Sequence, residues 1–285
     1  MTMASQLTAP CAEHGEGAFW DEAAGRLLLV DMLRGALVAV DPSGTTSRHV
    51  IGGVAAAIRA RTAGGFVLAT ERGFRLLSPE LRPEGEQIPA FDDPLLRMND
   101  GGCDRRGRFY CGSMAYAGTP GAAALYRLDP DLSVHVVLTG VTVSNGLQWH
   151  PDGRHAYYND TPTGRVDLFE VDPGTGAFGH RRTFVTVEAG AGLPDGMALD
   201  EQGGVWIALW GGGAVHRYDH TGRLSDRIEL PVRQVTSCTF GGTGGSSLYI
   251  TTSRLDLGDR AEPGAGAVFT VETGVRGAVQ HQFAG

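Results

Sequence analysis

Leu193-Pro194-Asp195-Gly196-Met197-Ala198-Leu199-Asp200, followed by Glu201-Gln202-Gly203-Gly204 and then Val205-Trp206-Ile207-Ala208-Leu209, carries the repeating unit of this chain. It reads as a polar residue on a tight turn, a short apolar strand, a Gly-rich hairpin turn and a second buried strand. The same order recurs. Asn145-Gly146-Leu147-Gln148-Trp149 leads through Pro151-Asp152-Gly153 to Ala156-Tyr157-Tyr158, and Asn99-Asp100-Gly101-Gly102-Cys103-Asp104 leads through Arg106-Gly107 to Phe109-Tyr110-Cys111. In each, a Gly follows the leading polar residue by eight positions. Ala56 with Gly64 and Ser237 with Gly245 keep that spacing, and Glu16 with Gly25 is one residue longer.

The six leaders, Glu16, Ala56, Asn99, Asn145, Asp195 and Ser237, stand 40, 43, 46, 50 and 42 residues apart. A period in the forties leaves room for about four short strands per unit, the signature of propeller blades. The expected fold is therefore all-β, a six-bladed β-propeller. Residues 15–285 read as one propeller domain and residues 1–14 as a polar arm, in which Gln6 to Pro10 could supply a strand that completes the last blade and closes the ring. Equivalent positions of all blades lie at one height, so the leaders should face each other across one end of the central channel.

Composition narrows the function classes. The chain has 285 residues, 42% hydrophobic and 20% charged, with a net charge of −8. That is an ordinary globular balance, and it lacks the basic face that nucleic acid requires. All 24 basic residues are Arg, so Schiff-base chemistry and the lysine of a phosphate-binding loop are excluded. Met1 to Cys11 carries no basic region followed by an apolar run, and no window resembles a membrane span, so a cytoplasmic protein without membrane contact is expected. Cys11, Cys103, Cys111 and Cys238 form no C-x-x-C pair and read mostly as buried free thiols.

Two loops interrupt the blade pattern. Ala115 to Ala124, a run of small residues in blade three, is too long for a hairpin and could cover the channel mouth. Asp256 to Gly266 is the second, in blade six. No helix of length is expected anywhere.

Glu16, Asn145 and Asp195, with Asn99 nearby, bring two carboxylates and two amide oxygens into one repeat register. Such a set suits a hard divalent cation and lacks the soft donors that zinc favours. Asn and Asp before Gly are also plain turn formers, but Glu16 is not a turn residue. Rival chemistry is weakly represented: there is no G-x-S-x-G, no H-E-x-x-H, and the nine His are scattered. The run Gly241-Gly242-Thr243-Gly244-Gly245 reads as a hairpin turn, and His14 as an exposed or packing residue. Arg97 and Asn99 read as lying on the turn that leads into blade three, so removing Arg97 is expected to spare the fold.

The segments Gly15-Glu16-Gly17-Ala18-Phe19-Trp20, Arg97-Met98-Asn99-Asp100-Gly101, Gly112-Ser113-Met114, Ser144-Asn145-Gly146-Leu147, Pro194-Asp195-Gly196-Met197 and Thr236-Ser237-Cys238-Thr239-Phe240-Gly241-Gly242 resemble the regucalcin, gluconolactonase and sugar-lactonase family, in order and over about residues 12–285. The resemblance implies a six-bladed propeller and metal-dependent hydrolysis of a sugar lactone. It implies Glu16, Asn145 and Asp195 as ligands of one divalent cation (Ca²⁺, Mg²⁺, Mn²⁺ or Zn²⁺), Asp195 also as the proton-transfer residue, and Arg97 and Asn99 as substrate contacts. One position departs from regucalcin: Ala117 stands where that protein has a substrate-holding Glu, and the neighbouring Tyr116 could replace part of the contact. The reading is thus a lactonase acting on a gluconolactone-like aldonolactone. The alternatives are a related metal-dependent esterase or organophosphatase, and a non-catalytic calcium-binding propeller.

Overall fold

The glycines of the repeat fix where the strands turn. Gly25, Gly64, Gly107, Gly153, Gly203 and Gly245 all have φ between 62° and 91°, a region glycine enters without steric cost. At five of them, all but Gly25, the amide closes a tight turn onto the carbonyl three residues earlier: those of Arg61, Asp104, His150, Asp200 and Gly242. The protein is seen here in a computed structural model that describes residues 2–285.

Six antiparallel sheets follow, each starting with one of the inner strands Gly15–Asp21, Ala55–Ala60, Leu96–Cys103, Ser144–Trp149, Leu193–Leu199 and Val235–Gly241. Each inner strand packs against the inner strands of the two neighbouring blades, and the first touches the last. The fold is an all-β, six-bladed propeller, as the repeat predicts. The only helical segments among the described residues are 3₁₀ turns of three residues, Met32–Arg34, Thr161–Thr163 and Gly258–Arg260. None of its helices is long and apolar enough to cross a membrane. The cysteines are all free, and Cys103, Cys111 and Cys238 are buried.

Apolar alternation along the strands gives one buried cluster at each of the six blade junctions. The junction that closes the ring joins Trp20, Leu27, Leu29 and Val38 of blade one to Tyr249 and Val268 of blade six, with Trp20 stacked on Tyr249 at 5.1 Å. Blade six has only three strands of its own. Its fourth is Ser5–Gln6, paired antiparallel with Phe269 and Thr270, so the closing strand lies just upstream of the predicted Gln6 to Pro10. Thr2–Met3 adds a parallel fifth strand to blade five.

The leaders are not turn residues. All six inner strands break register at the leader or immediately beside it: between Glu16 and Phe19, Ala55 and Ala57, Met98 and Gly101, Asn145 and Leu147, Pro194 and Met197, and Val235 and Ser237. A bulge inserts an unpaired residue and re-aims its side chain. The adjoining glycine is needed for closeness: a Cβ on Gly196 would come within 2.6 Å of Ser237 Oγ in the next blade, and one on Gly146 within 2.6 Å of the Asp195 carbonyl. Asn-Gly and Asp-Gly therefore mark bulges here, where the sequence reading put turns. Arg97 and Asn99 likewise lie inside the strand Leu96–Cys103 and are buried.

The C-terminal segment crosses the opposite end of the channel. Ala278 donates to the Leu199 carbonyl, Gln280 Nε2 to Thr239 Oγ1, and Ala284 to the Gly107 carbonyl. Phe283 is fully buried in the junction of blades two and three, and its amide and carbonyl pair with Ala60 and Thr62. We predict that Phe283→Ala destabilises the fold by about 3–5 kcal/mol, as a large buried aromatic leaves a cavity. A urea midpoint within error of wild type would refute this anchoring role.

Candidate metal centre at the channel mouth

The bulges bring Glu16, Asn99, Asn145 and Asp195 to the same end of the ring, where all four are buried. Their contacts form a continuous donor-to-acceptor chain. Arg97 Nη1 donates to Asn99 Oδ1 (2.6 Å), and Asn99 Nδ2 donates to Asn145 Oδ1 (3.0 Å) and to the Ser144 carbonyl (2.9 Å). Asn145 Nδ2 donates to Thr161 Oγ1 (2.9 Å), whose own proton goes to the Pro194 carbonyl (2.9 Å). Because Arg97 can only donate, Asn99 turns its oxygen to Arg97 and its nitrogen to Asn145, and this sets the Asn145 oxygen as the acceptor. Asn159 Nδ2 holds the Asp195 carbonyl at 2.8 Å.

The carboxylates are in electrostatic conflict. Glu16 is pushed up to about 8, first by burial and then by Asp100. Asp195 is raised well above the usual carboxylate range by burial, then by Glu16 and Asp100. Asp100 is itself raised by burial, although Gly101 and Gly146 donate their amides to it at 2.7 and 3.0 Å. Buried Arg97 opposes the Glu16 and Asp195 charges and buried Arg59 opposes Asp100, which leaves two cations against three carboxylates. Asp195 Oδ1 is buried with no hydrogen-bond partner, a cost that native interiors normally avoid. Three crowded carboxylates, an orphaned oxygen and an oriented amide oxygen fit a hard divalent cation, which would neutralise the first two and use the third.

This conflict sets a pH dependence. Glu16 titrates at about 8 in the fold against an ordinary 4.5, so between those values the folded state holds protons that the unfolded chain releases. Stability from this group is greatest below 4.5 and falls as pH rises toward 8. His14 works oppositely, being held down to about 3 by burial and by Arg97, but its contribution ends near 6.5. Metal-free protein should therefore lose urea resistance between pH 6.5 and 8, and cation binding near pH 7 should release protons. Calorimetry in buffers of different ionisation enthalpy measures that release; none at all would contradict the arrangement.

Several contributors were not singled out from sequence. Asp100 was quoted only within a motif, although it clasps blade three to blade four and adds the third negative charge. Asn159 and Thr161 belong to the second strand of blade four and the turn after it, outside the repeat register. His14, read as an exposed or packing residue, is the packing kind: it is buried, with Nδ1 at 2.9 Å from Ser253 Oγ and its ring edge-on to Trp210 at 5.9 Å. Two of the histidines taken as scattered do converge: His150 and His155 place Nδ1 atoms 3.1 and 2.6 Å from Asp152 Oδ2. The spacing H-x-D-x-x-H was the available signal. That cluster suits borderline cations, but it sits on the turn at the far end of the strand Ser144–Trp149, roughly 15 Å of chain from Asn145.

Known proteins place the chain. Regucalcin of Danio rerio is 35% identical over 96% of this chain and 95% of its own. A Bacillus subtilis (strain 168) protein, YvrE, whose name marks it as a proposed sugar lactone lactonase, is 33% identical over 95% of both chains. The solved structure of a calcium-binding protein, regucalcin of Agrobacterium tumefaciens, superposes with a TM-score of 0.88 at 26% identity, over 99% of this chain and 97% of that one. With residues 14–254 matching the family described as the SMP-30/gluconolactonase/LRE-like region, this chain belongs to that family.

Proposed function

We propose that this protein hydrolyses a sugar lactone, an aldonolactone of the gluconolactone type, to the free aldonic acid, using one divalent cation held by Glu16, Asn145 and Asp195. The observation that carries the reading is the buried, unpartnered Asp195 Oδ1 beside the Glu16 and Asp100 carboxylates. The names of the Bacillus relative and of the family support the lactone, and the calcium-binding description of the Agrobacterium regucalcin supports the cation.

A bound cation would supply Lewis-acid polarisation of the lactone carbonyl. The chain's residues do the rest. Arg97, fixed by Met98 carbonyl and Asn99 contacts of 3.1 and 2.6 Å, orients substrate and opposes negative charge as it develops on the carbonyl oxygen. Asn99 holds Asn145 in register. Asp195 accepts the proton of the attacking water, whose oxygen bonds to the carbonyl carbon. The ring C–O bond breaks, and that proton passes to the departing ring oxygen, giving the hydroxy acid. Because Arg97 is buried and its loss would leave Asn99 Oδ1 without its donor, Arg97→Ala is expected to lower the melting temperature as well as kcat/KM.

A second reading, a propeller that binds calcium without turnover, draws on the same regucalcin description. The two separate in one assay. Protein stripped of metal and then reconstituted with Ca²⁺, Mg²⁺, Mn²⁺ or Zn²⁺ is given a panel of aldonolactones, and acid release is followed. Metal-dependent hydrolysis supports the lactonase; tight cation binding with no acid released from any lactone supports the binding propeller.

A further inference from the structure

From the oxygen cluster the side chains continue outward in one direction. Asn145 meets Asn99 at 3.0 Å and Asn99 meets Arg97 at 2.6 Å. The Arg97 guanidinium then lies 6.0 Å from the centre of the Tyr116 ring, and the Tyr116 hydroxyl donates to Glu71 Oε1 at 2.7 Å. The backbone locks both ends of this row. The Glu71 carbonyl accepts the amide of Met98, between Arg97 and Asn99, and the Tyr116 amide donates to the Leu95 carbonyl. The row thus runs from buried amides to a rim where Tyr116 is 49% exposed and Glu71 partly so.

Chemistry changes along the row. Its inner members suit a carbonyl and a cation. Its outer members are an aromatic face and a carboxylate, of which Tyr116 occupies one oxygen and leaves Oε2 for another donor. Burial and Glu71 raise the Tyr116 phenol to about 12, so it stays protonated and keeps the carboxylate turned toward it. On the neighbouring segment, Ala117 and Gly118 offer no polar side chain, whereas Glu71, held by Tyr116, offers a carboxylate.

We propose that Glu71 and Tyr116 are the specificity-determining residues of the site: Glu71 accepts hydrogen bonds from the hydroxyl groups of a polyhydroxylated lactone whose carbonyl lies at the oxygen cluster, and Tyr116 packs against its C–H face and positions Glu71. This rests on the lactonase reading above and assigns the residues that read the hydroxyl groups of its substrate. A hydroxyl lost from such a partner leaves a charged acceptor unpaired, and hydrogen bonds to charged groups discriminate by roughly tenfold or more.

The test compares glucono-δ-lactone with δ-valerolactone, a six-membered lactone bearing no hydroxyl, in calcium-loaded wild type, Glu71→Gln and Tyr116→Ala. The expected result is a fall of about tenfold or more in the ratio of kcat/KM for the two lactones in Glu71→Gln, through KM for the hydroxylated substrate, with a similar fall in Tyr116→Ala. Calcium affinity by calorimetry should not change in either variant, as a general disturbance of the site would require. Hydrolysis with the ratio unchanged in both variants overturns this inference alone. Failure of wild type to open either lactone overturns the lactonase reading and this inference with it.

Discussion

Asp195→Asn, saturated with Ca²⁺, Mg²⁺ or Mn²⁺, is expected to lose on the order of 10²-fold or more in kcat for lactone opening. The asparagine keeps an oxygen for the cation, and its nitrogen cannot take a proton from water. Two roles fall on one carboxylate, and the substitution separates them. In the metal-free fold Asp195 is held well above the ordinary carboxylate range by burial, Glu16 and Asp100. A cation reverses that shift and leaves the carboxylate ionised at neutral pH, with activity falling as pH drops into the acidic range. Titrating Asp195→Asn with metal until the rate no longer rises gives the answer. A saturated rate near that of wild type would take proton transfer away from Asp195 and leave it a ligand only.

Glu16→Gln has effects of opposite sign on stability with and without metal. With cation present, exchanging a carboxylate for an amide should weaken binding on the order of tenfold or more and reduce activity with it. Without cation, Glu16 in the fold holds a proton that the unfolded chain releases at pH 7.5, a cost that glutamine does not carry, so the variant should resist urea better than wild type at that pH, by on the order of 1 kcal/mol or more. Wild type regains the advantage as metal is added, because a ligand at a hundred times its dissociation constant stabilises by about 2.7 kcal/mol. Unfolding curves of both proteins with and without Ca²⁺ would show the crossing. A metal-free Glu16→Gln protein weaker than wild type would mean that Glu16 is satisfied by the fold and has no need of a cation.

The sequence reading succeeded where one residue type has one physical use. A glycine eight residues after five of the leaders, and nine after Glu16, is placed there by a turn that needs positive φ, and six such glycines about forty to fifty residues apart specify a propeller. Glu16 stood out because glutamate has no reason to precede a glycine in a turn. The reading went astray at Asn99, Asn145 and Asp195, whose neighbouring glycines serve two geometries, a turn or a bulge, with the same letters. What separates the two is the approach of the next blade, Ser237 against Gly196 and the Asp195 carbonyl against Gly146, which is a distance in space that no local pattern carries. Asp100 was overlooked for a similar reason: alternation along a regular strand would point it away from Asn99, and only the bulge lets both take part. Tyr116 was noticed as a neighbour of Ala117, but its partner Glu71 lies 45 residues away in another blade. Phe283 gave no signal, since a lone aromatic among polar and small residues has no periodicity.

Diffraction from crystals soaked in Mn²⁺, with the metal located from its anomalous scattering, would show whether one cation is held at the bulged end of the ring by Glu16, Asn145 and Asp195. One strong peak is expected, bounded by oxygens of these three residues and lost in Glu16→Gln at the same Mn²⁺ concentration. No peak there, with manganese found only at the His150, Asp152 and His155 turn or nowhere on the chain, would contradict it.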